Sequence, residues 1–177
     1  MRVRPLEARR QQEVLRATEA CLRRAGELFG LGRPVVPVSF DLQGRAAGQY
    51  RVARGKPHIR YNPWIFAKYF SDSLANTEPH EIAHYVTDRL YGLRNVRPHG
   101  AEWQQVMCLL GAEPRATARY DLSGVPVRRQ QRFAYRCACM GHSITRSRHN
   151  RIRRGEATYL CRSCKTPIVY TGAGTKT

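Results

Sequence analysis

The five residues His80-Glu81-Ile82-Ala83-His84 hold the densest chemistry in this chain of 177 residues. On a helix, residues four apart project from the same face, so both imidazoles can grip one metal ion from successive turns. Glu81 then lies beside that ion. Its carboxylate can take a proton from a zinc-bound water that attacks a polarised carbonyl, and can return it to the leaving amine. With six histidines in the chain, chance alone produces the pattern in roughly 1 of 100 chains of this length, so it is read as chemistry.

A catalytic zinc takes three protein donors and keeps a fourth position for water. Thr87 and Leu90 stand where a metzincin needs Gly and His, which excludes that arrangement. Two residues can supply the third donor. His99 lies just ahead of the next helix, and Glu102 lies one turn into it. His99 is preferred; Glu102 is the fallback, or otherwise a carboxylate that orients a ligand imidazole.

A second metal chemistry is written in Cys137-x-Cys139 and Cys161-x-x-Cys164, two close pairs separated by a 21-residue insert. A segment of this size buries too little apolar surface to fold alone, and a structural zinc supplies what is missing. The second pair has knuckle spacing. The first is one residue short, and His142 can replace one of its members because Cys139-x-x-His142 restores the usual spacing. The insert also carries Arg146, Arg148, Arg151, Arg153 and Arg154 with almost no acid beside them. Arginine forks grip phosphates, and Phe133, Tyr135 and Tyr159 nearby offer rings for stacking on unpaired bases. Charge alone specifies no base sequence.

The elements that must position these groups follow from periodicity. From Leu6 to Phe29, apolar positions at three- and four-residue intervals predict an amphipathic helix, with Cys21 as a small buried hydrophobe on it. Residues 35–42, 48–53 and 58–61 read as strands of a small antiparallel sheet. A short helix begins at Pro63 and is expected to break at Ser71-Asp72-Ser73. Asn76 or Thr77 then caps the helix that carries both histidines, Pro79 sits in its first turn, and Gly92 closes it. Ala101 to Leu110 forms another helix, with Cys108 read as buried. The turn-rich stretch after Pro114 places a domain boundary near residue 125. Residues 1–125 form the main domain, 126–170 a basic zinc-ribbon module, and 171–177 a flexible tail.

The formal net charge is +18, from 31 Lys and Arg against 13 Asp and Glu, and the stretch after residue 119 has 12 basic side chains to 2 acidic. Such an excess attracts polyanions, which makes nucleic acid the leading partner. No signal-peptide or membrane-spanning run is found, so a cytoplasmic, nucleoid-associated protein without a membrane partner is expected. In a reducing compartment the six cysteines are not a disulfide framework.

Pro79-His80-Glu81-x-x-His84 followed by Pro98-His99-Gly100-x-Glu102-Trp103 resembles the SprT-like zinc metallopeptidase family. The likeness extends upstream to the Gly48 segment and Arg60-Tyr61-Asn62. Downstream it extends to Tyr135-Arg-Cys-x-Cys139, Arg148-His-Asn-Arg151 and Tyr159-x-Cys-x-x-Cys164. It covers roughly residues 35–170. The resemblance implies a helix-rich α+β zincin-like core with three histidine ligands, carried over to His80, His84 and His99, and a general base carried over to Glu81. The family includes a eukaryotic DNA-dependent protease that digests proteins crosslinked to DNA, which implies DNA-bound protein substrates. Glu78 departs from the family pattern, where a small or apolar residue is expected; its charge suits the start of a helix. The reading is a DNA-associated zinc endopeptidase with one catalytic and one structural zinc, on single-stranded or duplex DNA. The competing reading is a non-catalytic nucleic-acid-binding regulator whose histidine site is structural; a fourth protein ligand would favour it.

Overall fold

The structure is a computed structural model that describes residues 2–127 and 131–176. The chain divides into two compact units, Met1–Val127 and Arg128–Thr177.

The first unit is built on α1 (Ala8–Phe29), whose stripe Val14, Thr18, Leu22 and Ala25 is buried. Three strands follow: β1 (Val38–Ser39), β2 (Gly48–Ala53) and β3 (Lys56–Tyr61). β2 and β3 form an antiparallel hairpin, but β1 lies parallel to β3 on its other side, in the order β1-β3-β2. The sheet is therefore mixed rather than antiparallel, because residues 40–47 carry the chain past β3 to the far edge. Arg60 secures that crossing. Its guanidinium forks Asp41 at 2.9 and 3.0 Å and donates to Gln49 at 3.0 Å. Asn62 does more of the same: its side-chain oxygen caps α2 (Pro63–Lys68), while its amide donates to the carbonyls of Gly44 and Ala46.

The expected break at Ser71-Asp72-Ser73 is absent. Only Tyr69 leaves helical geometry; α3 (Phe70–Asp72) then runs through a π-helical turn, Ser73–Thr77, into α4 (Glu78–Tyr91). Neither Asn76 nor Thr77 caps α4. Thr77 has helical dihedrals and makes no side-chain cap bond, because a helical turn already precedes it. In that widened turn the Glu78 amide donates five residues back, to the Ser73 carbonyl. Pro79, which has no amide to give, follows at once. α5 (Ala101–Leu109) packs on α4, and Ile59, Tyr61, Phe66, Ile82, Val86, Trp103 and Met107 fill a core shared with α1. Each such side chain contributes roughly 1.5–3 kcal/mol by leaving water. Cys21 is partly buried against this core, whereas Cys108 is exposed, since it lies on the outer face of α5.

The second unit is an antiparallel sheet of β4 (Gln131–Arg136), β5 (Gly141–Thr145) and β6 (Val169–Lys176) in the order β5-β4-β6. Residues expected to fray, 171–177, instead pair with β4 as far as Lys176, and Thr177 lies outside the described residues. The insert between the cysteine pairs holds α6 (Arg146–Arg153), which periodicity did not announce. His149 anchors it: the imidazole lies flat on Phe133, with centroids 3.7 Å apart, meets Tyr170 edge-on, and hydrogen-bonds the Tyr135 hydroxyl at 3.1 Å. Among the described residues no helix is long and apolar enough to cross a membrane.

Candidate functional site

α4 presents His80 and His84 from successive turns, as their spacing requires, because Ile82, Ala83 and Val86 hold its opposite face in the core. The helix stops at Gly92, whose positive φ turns the chain away. Asn95 ties the following turn to Gly92 and Tyr91, and a further turn closes with the Gly100 amide on the Arg97 carbonyl. These turns return His99 to α4. His99 itself has a φ of 58°, a strained position for a residue with a side chain. Gln104 on α5 holds its carbonyl at 3.1 Å.

The three Nε2 atoms form a nearly equilateral triangle with sides of 3.2, 3.1 and 3.1 Å. Tetrahedral zinc with bonds of about 2.0–2.1 Å spaces its ligand nitrogens roughly 3.3 Å apart, so this donor set fits one such ion. Protonation does not compete. Burial, and then the neighbouring imidazoles, lower the pKa of His80 to about 4 and of His84 to about 3; burial lowers that of His99. The rings are thus neutral ligands at pH 7. Glu102, the alternative third donor, is outside this group.

Glu81 is 5 % exposed and lines the same cavity, of about 310 Å³, as His80, His84 and His99. Its Oε2 accepts the Tyr50 amide at 2.6 Å. Burial pushes its carboxyl up to about 8, and the Tyr50 amide opposes the rise; a cation at the triad would oppose it in the same direction. A second cavity of about 700 Å³, bordered by Tyr69, Asp72, Arg115 and Tyr120, meets the first at Gly48, His80 and Glu81. The two make a groove with His80 and Glu81 at their junction, and His84 and His99 line the smaller cavity. Glu78, by contrast, is a buried residue with no partner for Oε1, not a charge placed to suit a helix dipole, because the π turn removes the free helix start.

In the second unit the ligand atoms of Cys137, Cys139, Cys161 and Cys164 lie within 4.8 Å of one another. Two of the S···S distances are 3.5 and 3.7 Å, against roughly 3.8 Å for sulfurs about 2.3 Å from a tetrahedral zinc. His142 stands beside this group; its Nε2 is 3.2 Å from Cys137 Sγ. Arg146, Arg148, Arg151, Arg153 and Arg154 are all exposed on α6 and its end. Arg154 is engaged by Glu156 at 2.7 Å, and Arg148 lies over the Tyr159 ring at 5.4 Å. Phe133 and Tyr135 are committed to His149, which leaves Tyr159 as the ring beside the arginines.

Two contributors were not read from the sequence as parts of the site: the Tyr50 amide and Gln104. Main-chain contacts leave no residue-type signal. Trp103 stood in the quoted motif without a role, and its ring backs all three imidazoles, 4.7 Å from His80, 5.6 Å from His84 and 4.7 Å from His99.

The model of the SprT-like family matches residues 18–131. The chain is 36% identical to Protein SprT of Vibrio parahaemolyticus over 153 residues, which cover 86% of this chain and 88% of that protein. It is 34% identical to Protein SprT of Shewanella oneidensis over 159 residues, covering 89% and 97%, and 35% identical to that of an Enterobacter species over 160 residues, covering 90% and 93%. No solved structure matches the chain significantly.

Proposed function

Because the chain belongs to the SprT-like family, we propose that it is a zinc-dependent endopeptidase acting on DNA-bound proteins, including proteins crosslinked to DNA. The observation that carries this reading is the convergence of three imidazoles, and no fourth protein donor among the described residues, on a groove that also holds a buried carboxylate. A structural ion would be enclosed by four ligands; three leave room for reactants. The competing regulator reading lacks that fourth donor.

His80, His84 and His99 would hold the catalytic zinc. Bound there, zinc supplies a Lewis acid that polarises a peptide carbonyl and makes water more acidic. Glu81 accepts the proton of the attacking water and delivers it to the departing amine. The Tyr50 amide keeps the carboxylate facing the groove. Cys137, Cys139, Cys161 and Cys164 would hold a second, structural zinc, and the exposed arginines of α6 would grip phosphate. A cavity of about 410 Å³ bordered by Arg148, Arg162, Tyr159 and Leu160 supports contact with unpaired nucleotides.

The test is direct. Zinc-loaded protein is incubated with a DNA-binding protein, free or bound to single-stranded or duplex DNA, and the products are identified by mass spectrometry; Glu81→Gln serves as the control. Fragments from the wild type alone, more abundant with DNA, are expected. Intact substrate in every wild-type reaction would reject the reading.

A further inference from the structure

Gly48 opens β2 on the outer edge of the sheet, in register with Tyr61. Its backbone makes no demand for glycine, because it is not among the residues with positive φ. A strand position of this kind is better served by a residue with a side chain. What excludes one is Glu81. A Cβ placed on Gly48 would stand 2.5 Å from Oε1, 2.7 Å from Cγ and 2.9 Å from Cδ of that residue. Two residues along the same strand, the Tyr50 amide donates to the other carboxylate oxygen at 2.6 Å.

The two contacts act on one group from one strand. We infer that Gly48 is a positioning residue for the proposed general base: the space it leaves empty is the space into which the Glu81 carboxylate folds, and the Tyr50 amide fixes it there. The inference rests on the peptidase reading for its kinetic consequence but not for its geometry. α4 cannot yield instead, because Ile82 and Ala83, next to Glu81, are fully buried. A methyl group at residue 48 must therefore move the carboxylate itself. Restoring ordinary contact distances of about 3.5 Å moves it by about 1 Å, and a misplacement of that size at a reacting group costs about 100-fold in rate.

Gly48→Ala is the test, with three readouts on the zinc-loaded protein. The kcat for a DNA-bound protein substrate should fall about 100-fold with KM within a factor of two or so and the zinc content unchanged. The Tyr50 amide proton resonance should shift as it does in Glu81→Gln, because its acceptor has moved. Stability should be lost in Gly48→Ala and largely recovered in Gly48→Ala/Glu81→Ala, where nothing remains for the methyl group to strike. A rise in KM with the Tyr50 resonance unmoved would overturn the inference, since the methyl group would then merely obstruct the groove. So would a stability loss equally large with and without the Glu81 side chain. If the wild type cleaves nothing, the peptidase reading fails while the resonance and the stability cycle still decide the placement of Glu81.

Discussion

Trp103 grips His80 at two points: its indole N–H donates to the His80 carbonyl at 3.3 Å, and its ring stands edge-on to the imidazole with centroids 4.7 Å apart. At 1 % exposure it also seals the core beneath the triad. Trp103→Ala should cost about 3–5 kcal/mol of stability. Trp103→Phe keeps most of the packing but loses the indole bond to the His80 carbonyl, which retains only its helical partner, at about 1 kcal/mol. Competition with a chelator should show weaker zinc retention at the histidine site in Trp103→Phe and no change at the cysteine site. Equal weakening at both would show that the indole acts on general stability alone.

Metal analysis of the carefully loaded protein should find two zinc ions. His80→Ala or His84→Ala should remove one of them, and Cys161→Ser or Cys164→Ser the other. His142→Ala should keep both, because His142 only hydrogen-bonds Cys137 Sγ. Retention in Cys139→Ser together with loss in His142→Ala would reassign the fourth ribbon ligand.

The histidine pair and the cysteine pairs were legible because their geometry is local: an i, i+4 spacing on one helix, and two close pairs of which Cys161-x-x-Cys164 has knuckle spacing. The Tyr50 amide on Glu81 was not, since no residue type marks a main-chain donor that arrives from another element. The mixed sheet was missed for a related reason. The pairing of β1 with β3 depends on where residues 40–47 cross, and alternation within a strand does not encode its neighbour. The availability of Phe133 and Tyr135 was overestimated because α6 has no side-chain cap and basic residues where its dipole disfavours them. That helix depends on the His149 stack, a contact between distant residues.

Neutralising Arg146, Arg148, Arg151 and Arg153 together should weaken DNA binding and flatten its salt dependence, by roughly 0.7–0.9 in the log–log slope for each phosphate no longer neutralised. Arg154→Gln alone should have a smaller effect, because Glu156 already engages that guanidinium. Affinities at several salt concentrations read both effects. An unchanged slope in the fourfold variant would place phosphate binding elsewhere in the chain.

Glu78 makes stability depend on pH. Burial raises its carboxyl pKa from 4.5 to about 7. Between those values the folded protein holds a proton that the unfolded chain has released, so stability falls as pH rises through the window and levels off above it. Glu78→Gln should remove this fall and be more stable by about 2–3 kcal/mol at pH 8. The difference between the thermal denaturation curves of the two proteins from pH 5 to pH 8 isolates the residue. A difference that does not grow with pH would show that Glu78 is charged throughout.

The π turn at Ser73–Thr77 sets a rule for changes in chain length. A widened turn holds one residue more than a regular helix needs, so deleting one there relaxes it to ordinary α-helix and leaves the flanking turns in phase. The same deletion between His80 and His84 rotates the second imidazole by roughly 100° and takes it off the ion. Length variants of this protein should therefore survive when the missing residue comes from 73–77, and fail to hold the metal when it comes from 81–83.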